Sequence, residues 1–248
     1  MLDELLLLSG MDIPFQEAQL VIHQPRLKEI AFIGEEALYN ACGVLNFSKN
    51  NLDVKDKIDL EKLTNFEILM SIMMDSSNPI AKQNQINVKL LFALMFPDYQ
   101  VMMQPQGVLL VKDGEIHSIN KENFEEFKKI LVEMFCLKRD TKDGNLDYNP
   151  GGNRAAQLAE KMRRGREKAA AAKGESGKKI AILSRYASII AIGNHKDLND
   201  LMNYTVYQIF DEFERMDLKI QNDFYMQAKL AGAKDLQDID NWMKELHS

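Results

Sequence analysis

The feature of the sequence that most constrains its fold is a change in hydrophobic period after Pro97. Before this proline, apolar residues recur at the three- and four-residue spacing of helices that bury one face. After it, the runs YQVMMQ, GVLLVK and EIHSI are short, apolar and separated by Pro105-Gln106-Gly107 and Lys112-Asp113-Gly114. Short runs joined by such turns indicate a small meander. The sequence therefore predicts an α+β fold that is mainly α-helical with a small antiparallel β-meander.

Several element boundaries can be placed from capping and breaking residues. A strand is predicted over Gln16–His23, followed by a helix from Pro25 to about Asn46 that has Gly34 as a weak point. Asn78-Pro79 predicts an N-cap and first helical position, and Asn120 predicts the N-cap of the helix after the meander.

Composition divides the chain into four stretches. Residues 1–137 form a predicted N-terminal helical domain with the small sheet. Residues 138–153 collect Asp-Gly, Asn-Pro and Gly-Gly dipeptides and are the predicted linker. Residues 154–179 contain nine basic and three acidic residues and predict an exposed basic helix with a flexible segment. Residues 180–248 are the predicted C-terminal helical region.

The overall composition is typical of a globular protein in a reducing compartment. The chain has 248 residues, 46% of them hydrophobic and 27% charged, and a formal charge of −6, which excludes collagen-like, mucin-like and wholly disordered classes. Its two cysteines are far apart in sequence, so no disulfide framework is expected. A secretory signal is not expected, because the apolar start of the sequence lacks a preceding basic region. A membrane span is not expected, because the apolar stretch 180–192 is shorter than a spanning helix requires. We expect a cytoplasmic protein.

No motif predicts a reaction. The four histidines lie in different predicted elements, and none has a second ligand at a spacing that suggests a metal. The segment GESGKK has the wrong glycine spacing for a phosphate loop and lacks the Ser or Thr that follows its lysine. We therefore predict no catalytic residue, no metal site and no cofactor, and a protein that is not an enzyme.

The 14 methionines have two interpretations. They can fill the core, or they can line a groove that accepts apolar helices of varied sequence, because methionine is flexible and polarizable. Under the second interpretation the predicted partner-binding residues are Met70, Met73, Met74 and Leu94. Trp242 either docks the last helix onto the protein or contacts a partner.

The basic helix has three interpretations. Arg163, Arg164, Arg166 and Lys168 can contact nucleic-acid phosphates, contact an acidic protein surface, or keep an exposed connector soluble. Aromatic residues for base stacking are absent from residues 154–179, and the chain as a whole is acidic, with a pI of about 5.4. Nucleic acid is therefore not the expected partner.

Two blocks of sequence resemble a known protein family. The first comprises QLVIHQPRLKEIAFIGEEALYNAC, FEILMSIM and LLFALMFPDY, and the second is the closing stretch from DLNDLMNYTVYQIF to DNWMKEL. Both resemble proteins encoded in the tail-gene modules of long-tailed bacteriophages and prophages, of the tail assembly chaperone type. The meander and the basic helix fall outside the resemblance, which covers about two thirds of the chain.

The resemblance implies a non-enzymatic protein of the infected host's cytoplasm. Such a protein keeps the long tape-measure protein soluble and recruits tail-tube subunits during assembly, without remaining in the virion. Two alternatives stay open: a structural virion protein of the neck, baseplate or tail, and a nucleic-acid-binding accessory protein that acts through the basic helix. Self-association and a frameshifted longer form also stay open.

Overall fold

The computed structural model describes residues 2–48, 62–75, 77–137, 181–233 and 243. Over these residues the fold is α+β and mainly helical with small antiparallel sheets, as predicted. The helices are α1 Glu4–Ser9, α2 Leu27–Ile33, α3 Glu35–Leu45, α4 Asn65–Met73, α5 Pro79–Met95, α6 Phe124–Met134, α7 Ile182–Gly193, α8 Leu198–Leu201 and α9 Val206–Leu230. The strands are β1 Ile13–Phe15, β2 Leu20–Ile22, β3 Gln100–Gln104, β4 Gly107–Lys112 and β5 Glu115–Ile119.

The strands form two antiparallel sheets. The larger is the predicted meander, in the order β3-β4-β5, and the smaller pairs β1 with β2. The prediction of one strand over Gln16–His23 was wrong in part, because Gln16–Ala18 forms a 3₁₀ turn and only Leu20–Ile22 is a strand. Strand β1 was missed because three residues that include Pro14 are too short to show alternation.

Gly34 separates two helices where the sequence predicted one. Its backbone has φ 85° and ψ 145°, and its N–H donates to the carbonyl of Ile30 to close α2. A residue with a side chain rarely adopts this φ, so the glycine ends α2 and precedes α3. The predicted weak point is therefore a complete break in the helix.

The helix caps follow the sequence with one correction. The Asn78 side chain accepts a hydrogen bond from the N–H of Ile80, with Pro79 at the first helical position, as predicted. The predicted cap at Asn120 was wrong, since α6 starts three residues later and Asn123 precedes it. Asn120 instead begins a turn, in which its side chain accepts from the N–H of Glu122.

The core contains a cluster of phenylalanine rings from different elements. Phe127 of α6 lies 5.4 Å from Phe92 of α5 and 6.1 Å from Phe15 of β1, measured between ring centroids. A second pair joins Phe66 of α4 to Phe124 of α6 at 5.0 Å. These rings are all buried, so they hold the helices and the N-terminal sheet around one interior.

The chain divides into two compact units. One contains Met1–Lys138 and Leu183–Glu212, and the other contains Arg139–Ile182 and Phe213–Ser248. Within the first unit, Thr205 forms an antiparallel bridge with Arg26, and the N–H of Leu27 donates to the carbonyl of Tyr204. Gln208 donates to the carbonyl of Leu8. Chain segments far apart in sequence thus complete one unit.

The described part of the second unit comprises residues 181–182, the later portion of α9 and the described residues that follow it. Ile220 and Phe224 are exposed along this helix. The predicted linker, residues 138–153, and the basic stretch, residues 154–179, lie outside the described residues. The four-part division of the chain stays a prediction.

No helix in the described ranges is long and apolar enough to cross a membrane.

Candidate partner-binding surface

The three-stranded sheet has two faces of different environment. Side chains alternate between the faces along each strand, so directly paired residues share a face. Val108 and Leu110 of β4 and Ile119 of β5 lie on the inner face and are buried. This face packs toward the core of the first unit.

The outer face is apolar although it is partly exposed to solvent. Met102 pairs with Leu109, and Val111 pairs with Ile116. Ile116 is 67% exposed, and the other three side chains are half-buried. We call Met102, Leu109, Val111 and Ile116 the outer face. An antiparallel sheet with one solvated face normally alternates apolar with polar residues, so this surface departs from the usual pattern.

The outer face also lacks charge. The remaining side chains that share it are uncharged and polar: Gln100, Gln104 and Ser118. A chain with 27% charged residues therefore presents a sheet face with none of them. An exposed contiguous apolar patch that is rimmed by polar residues often marks an interaction site.

The first turn of the meander is fixed by a close backbone approach. At Gly107, a Cβ atom would lie 2.5 Å from the carbonyl oxygen of Ile119 on β5. Such a contact is far shorter than van der Waals distance, so any side chain there would push β4 away from the C-terminal end of β5. Glycine is required at this position.

Side-chain hydrogen bonds hold β5 and the turn that follows it in place. The buried Asn123 donates to the carbonyl of Ser118 and accepts from the N–H of Asn120, each at 2.9 Å. His117 contacts the carbonyl oxygen of Ala18 at 3.1 Å, which links β5 to the 3₁₀ turn between β1 and β2. A shift of β5 would therefore break these hydrogen bonds.

A second braced feature surrounds His23, at the end of β2. Its Nδ1 lies 2.9 Å from Asp12 and its Nε2 lies 3.1 Å from Glu29. Burial alone would lower the pKa of His23, but the hydrogen bonds and charges of the two carboxylates outweigh it, and the pKa is raised. Burial alone would raise the pKa of Glu29. The hydrogen bond from the N–H of Arg26 and the contact with His23 outweigh burial, so the pKa of Glu29 is lowered.

The structure places the predicted contact residues in different environments. Met70 and Met73 are buried, with 3% and 1% of their surface exposed, so both pack in the interior. Met74 and Leu94 are half-buried. Leu94 continues a stripe on α5 that contains the exposed Ile86 and Leu90 at four-residue spacing. Trp242 lies outside the described residues, as do Arg163, Arg164, Arg166 and Lys168. The assignment of Trp242 and of these four basic residues as partner contacts stays a prediction.

The sequence contained a signal for the outer face that the groove hypothesis passed over. Strand β4 reads Val-Leu-Leu-Val over residues 108–111, with no polar residue in alternate positions. Consecutive apolar residues in a strand mean that both of its faces are apolar. Leu109 and Val111 could have been identified in this way.

The described residues offer no metal centre. Within them, no group of three or more His, Cys, Asp or Glu side chains is arranged to hold a metal ion. Cys42 and Cys136 are both buried, and burial raises the pKa of the Cys42 thiol. A raised pKa leaves Cys42 as a thiol, the form that is a poor nucleophile.

One comparison with known proteins bears on the C-terminal part of the chain. Residues 172–247 match the model of the YomV second domain. YomV is encoded by Bacillus phages and prophages, so this stretch is similar to part of a phage-encoded protein. No curated protein and no solved structure matches the chain. The match agrees with the predicted relation to phage proteins and does not address the chaperone type.

Proposed function

We propose that this chain is a non-enzymatic phage tail assembly chaperone of the host cytoplasm. It binds apolar helical segments of the tape-measure protein and presents them to tail-tube subunits during virion assembly. The family match supports the phage setting, and the resemblance of the sequence supports the tail assembly role. The observation that carries the proposal is the uncharged apolar outer face.

The outer face has the dimensions of a seat for one helix. Three strands about 4.8 Å apart make a surface about 10 Å wide, which is the diameter of an α-helix with its side chains. Strands of five or six residues are about 17 Å long, which corresponds to about three turns of helix. The face therefore matches one amphipathic helix of about eleven residues.

The chemistry of the face suits partners of varied sequence. Leu109, Val111 and Ile116 supply apolar area, and the flexible Met102 can adjust to side chains of different shape. No charge on the face selects for or against a particular charge pattern of the partner. Burial of these apolar side chains under a helix favours binding by about 25 cal/mol per Å² of apolar area, which the entropy lost on association partly offsets.

The outer face also changes the proposed role of the methionines. Met70 and Met73 are interior residues, so in the structure they stabilise the helices that support the sheet. Met102 takes the contact role in our proposal, together with Leu109. The exposed stripe of Ile86 and Leu90 on α5, which Leu94 continues, provides a further apolar surface of the same unit.

Affinity purification of the tagged chain from phage-infected or prophage-induced cells tests this function, with bound proteins identified by mass spectrometry. We expect the tape-measure protein in the eluate and no copies of the chain in purified virions. The matched control is Leu109→Lys, which places a charge at the centre of the outer face and should remove the tape-measure protein from the eluate.

Two results would replace the proposal with one of its alternatives. Stoichiometric presence of the chain in purified virions would show a structural protein of the neck, baseplate or tail. Recovery only of nucleic acid that nuclease removes, with loss upon neutralisation of Arg163, Arg164 and Arg166, would show an accessory protein that acts through the basic stretch.

A further inference from the structure

We propose that strand β3 is a self-pairing edge, through which two copies of this chain form a symmetric dimer with one continuous six-stranded sheet. The inference goes beyond the proposed function and does not depend on it. It rests on the open edge of β3, on the absence of features that block such edges, and on the self-complementary order of its residues.

The hydrogen-bond pattern of the hairpin determines which backbone groups of β3 point outward. Gln104 and Gly107 close the two-residue turn between β3 and β4, and such a closing pair is hydrogen-bonded. Bonded and non-bonded pairs alternate along an antiparallel ladder. The N–H and C=O groups of Val101 and Met103 therefore point away from β4. Within the described residues these groups have no hydrogen-bond partner, since β3 is the outermost strand of its sheet.

The sequence of strand β3 contains none of the residues that usually protect an edge. Natural proteins block exposed strands with charged side chains, proline or bulges. Strand β1 contains Pro14, and the opposite edge strand, β5, contains Glu115. Strand β3 reads Gln-Val-Met-Met-Gln, with no charge and no proline, and its five consecutive pairs with β4 leave no bulge. Such an edge favours addition of another strand.

The residue order of β3 favours a second copy of itself as that strand. In antiparallel pairing about Met102, each Gln100 lies opposite Gln104 of the other copy, and each Val101 lies opposite Met103. Identical or similar side chains thus face each other throughout, and no like charges meet. The outward groups of Val101 and Met103 pair with each other in this register, which supplies about four backbone hydrogen bonds.

The same register preserves the faces of the sheet. Met102 of one copy lies opposite Met102 of the other on the outer side, so the two outer faces become one continuous apolar surface. A strand added in any register shifted by one residue would bring Met102 opposite an inner-face residue. The symmetric arrangement is an isologous interface of the commonest kind, a two-fold dimer.

Sedimentation velocity over a range of concentrations tests the dimer, combined with charge substitutions at its axis. We expect the wild-type chain, 28.4 kDa as a monomer, to reach twice that mass as concentration rises. Met102→Lys and Met102→Glu should each weaken the dimer by about tenfold or more, because two like charges then lie directly opposite. An equimolar mixture of the two variants should restore the dimer.

The control variant is Ile116→Lys, which places the same charge on the same face at the far strand of the sheet. It should leave the dimerisation constant unchanged, since β5 is remote from the axis. Loss of the dimer in this variant, to the same extent as in Met102→Lys, would contradict pairing through β3.

A cross-link provides a second test that does not depend on charge. Met102 and its counterpart form a non-hydrogen-bonded pair, whose Cα atoms lie about 4.5 Å apart, within the range that a disulfide requires. Met102→Cys should therefore form a covalent dimer upon mild oxidation, whereas Leu109→Cys, one strand further in, should not. A wild-type chain that stays monomeric at all concentrations, or a Met102→Cys variant that does not cross-link, would overturn the proposal.

Discussion

Met102 and Leu109 lie directly opposite each other on β3 and β4, and both project from the outer face of the sheet. Such cross-strand pairs stabilise a sheet by contact between their side chains. The pair is half-buried, whereas Val108 and Leu110 on the opposite face are buried. The pair therefore forms the centre of the candidate partner-binding surface.

A charge at the centre of this surface should weaken partner binding without unfolding the protein. We expect Leu109→Lys to reduce the affinity for a synthetic amphipathic helix by about tenfold or more, measured by fluorescence anisotropy, because the buried lysine would lose its hydration. Gln104→Lys, at the turn end of the same face, is the control and should have a smaller effect. Equal loss of affinity in both variants would argue against a central contact.

Gly107→Ala should destabilise the protein strongly for a change of one methyl group. The added Cβ would lie 2.5 Å from the carbonyl oxygen of Ile119, so the meander must distort to accept it. We expect a loss of about 2 kcal/mol in the free energy of unfolding, measured by urea denaturation.

Gly43→Ala is the matched control for this substitution. Gly43 lies within α3, and a Cβ there would meet no atom within 4 Å beyond its chain neighbours and the backbone of its own helix. Alanine is favoured over glycine inside a helix by about 0.8 kcal/mol, so this variant should be more stable than the wild type. Destabilisation of similar size in both variants would show that the contact at Gly107 is not the cause.

Asn123→Ala should loosen the meander by removal of its brace. The buried Asn123 satisfies both the Ser118 carbonyl and the Asn120 N–H, and alanine would leave both groups without their partner. A cost of about 2 kcal/mol is expected for the unfolding free energy. Lys121→Ala, at an exposed neighbouring position, should change stability by less than about 0.5 kcal/mol. A neutral Asn123→Ala would contradict the brace.

His23 should make stability depend on pH near neutrality. Because its folded pKa is raised above the ordinary value of 6.5, the protonated ring stabilises the folded state fully below pH 6.5. This stabilisation is lost as pH rises through the folded pKa. We therefore expect the unfolding free energy of the wild type to fall over this range, relative to that of His23→Gln.

The control for the pH experiment is His195→Asn. His195 is exposed and has φ 54°, a backbone conformation that asparagine tolerates. This variant should retain the pH dependence of the wild type. A pH dependence that persists in His23→Gln, or that disappears in His195→Asn, would assign the titration to another group.

The sequence predicted those features that depend on local chemistry. The Asp113-Gly114 turn, where both residues have positive φ, joins β4 to β5 as expected for an Asp-Gly hairpin. The cap at Asn78 was predicted for the same reason, since its side chain bonds a backbone N–H two residues away. Such interactions are contained within a few residues.

Features that depend on distant contacts could not be predicted. The bridge between Arg26 and Thr205 joins segments that no local pattern relates. Met70 and Met73 were predicted at a partner surface, but their burial is set by packing among helices that the sequence does not position. The outer face was predictable in part, because the consecutive apolar residues of β4 indicate that both faces of this strand are apolar.

The most direct test of the central claim is the solubility of the tape-measure protein when it is coexpressed with this chain. Our account predicts that the wild-type chain keeps the tape-measure protein in the soluble fraction and that Leu109→Lys, although folded, leaves it aggregated. A tape-measure protein whose solubility is the same with the wild-type chain, with Leu109→Lys and with no chain would contradict the account.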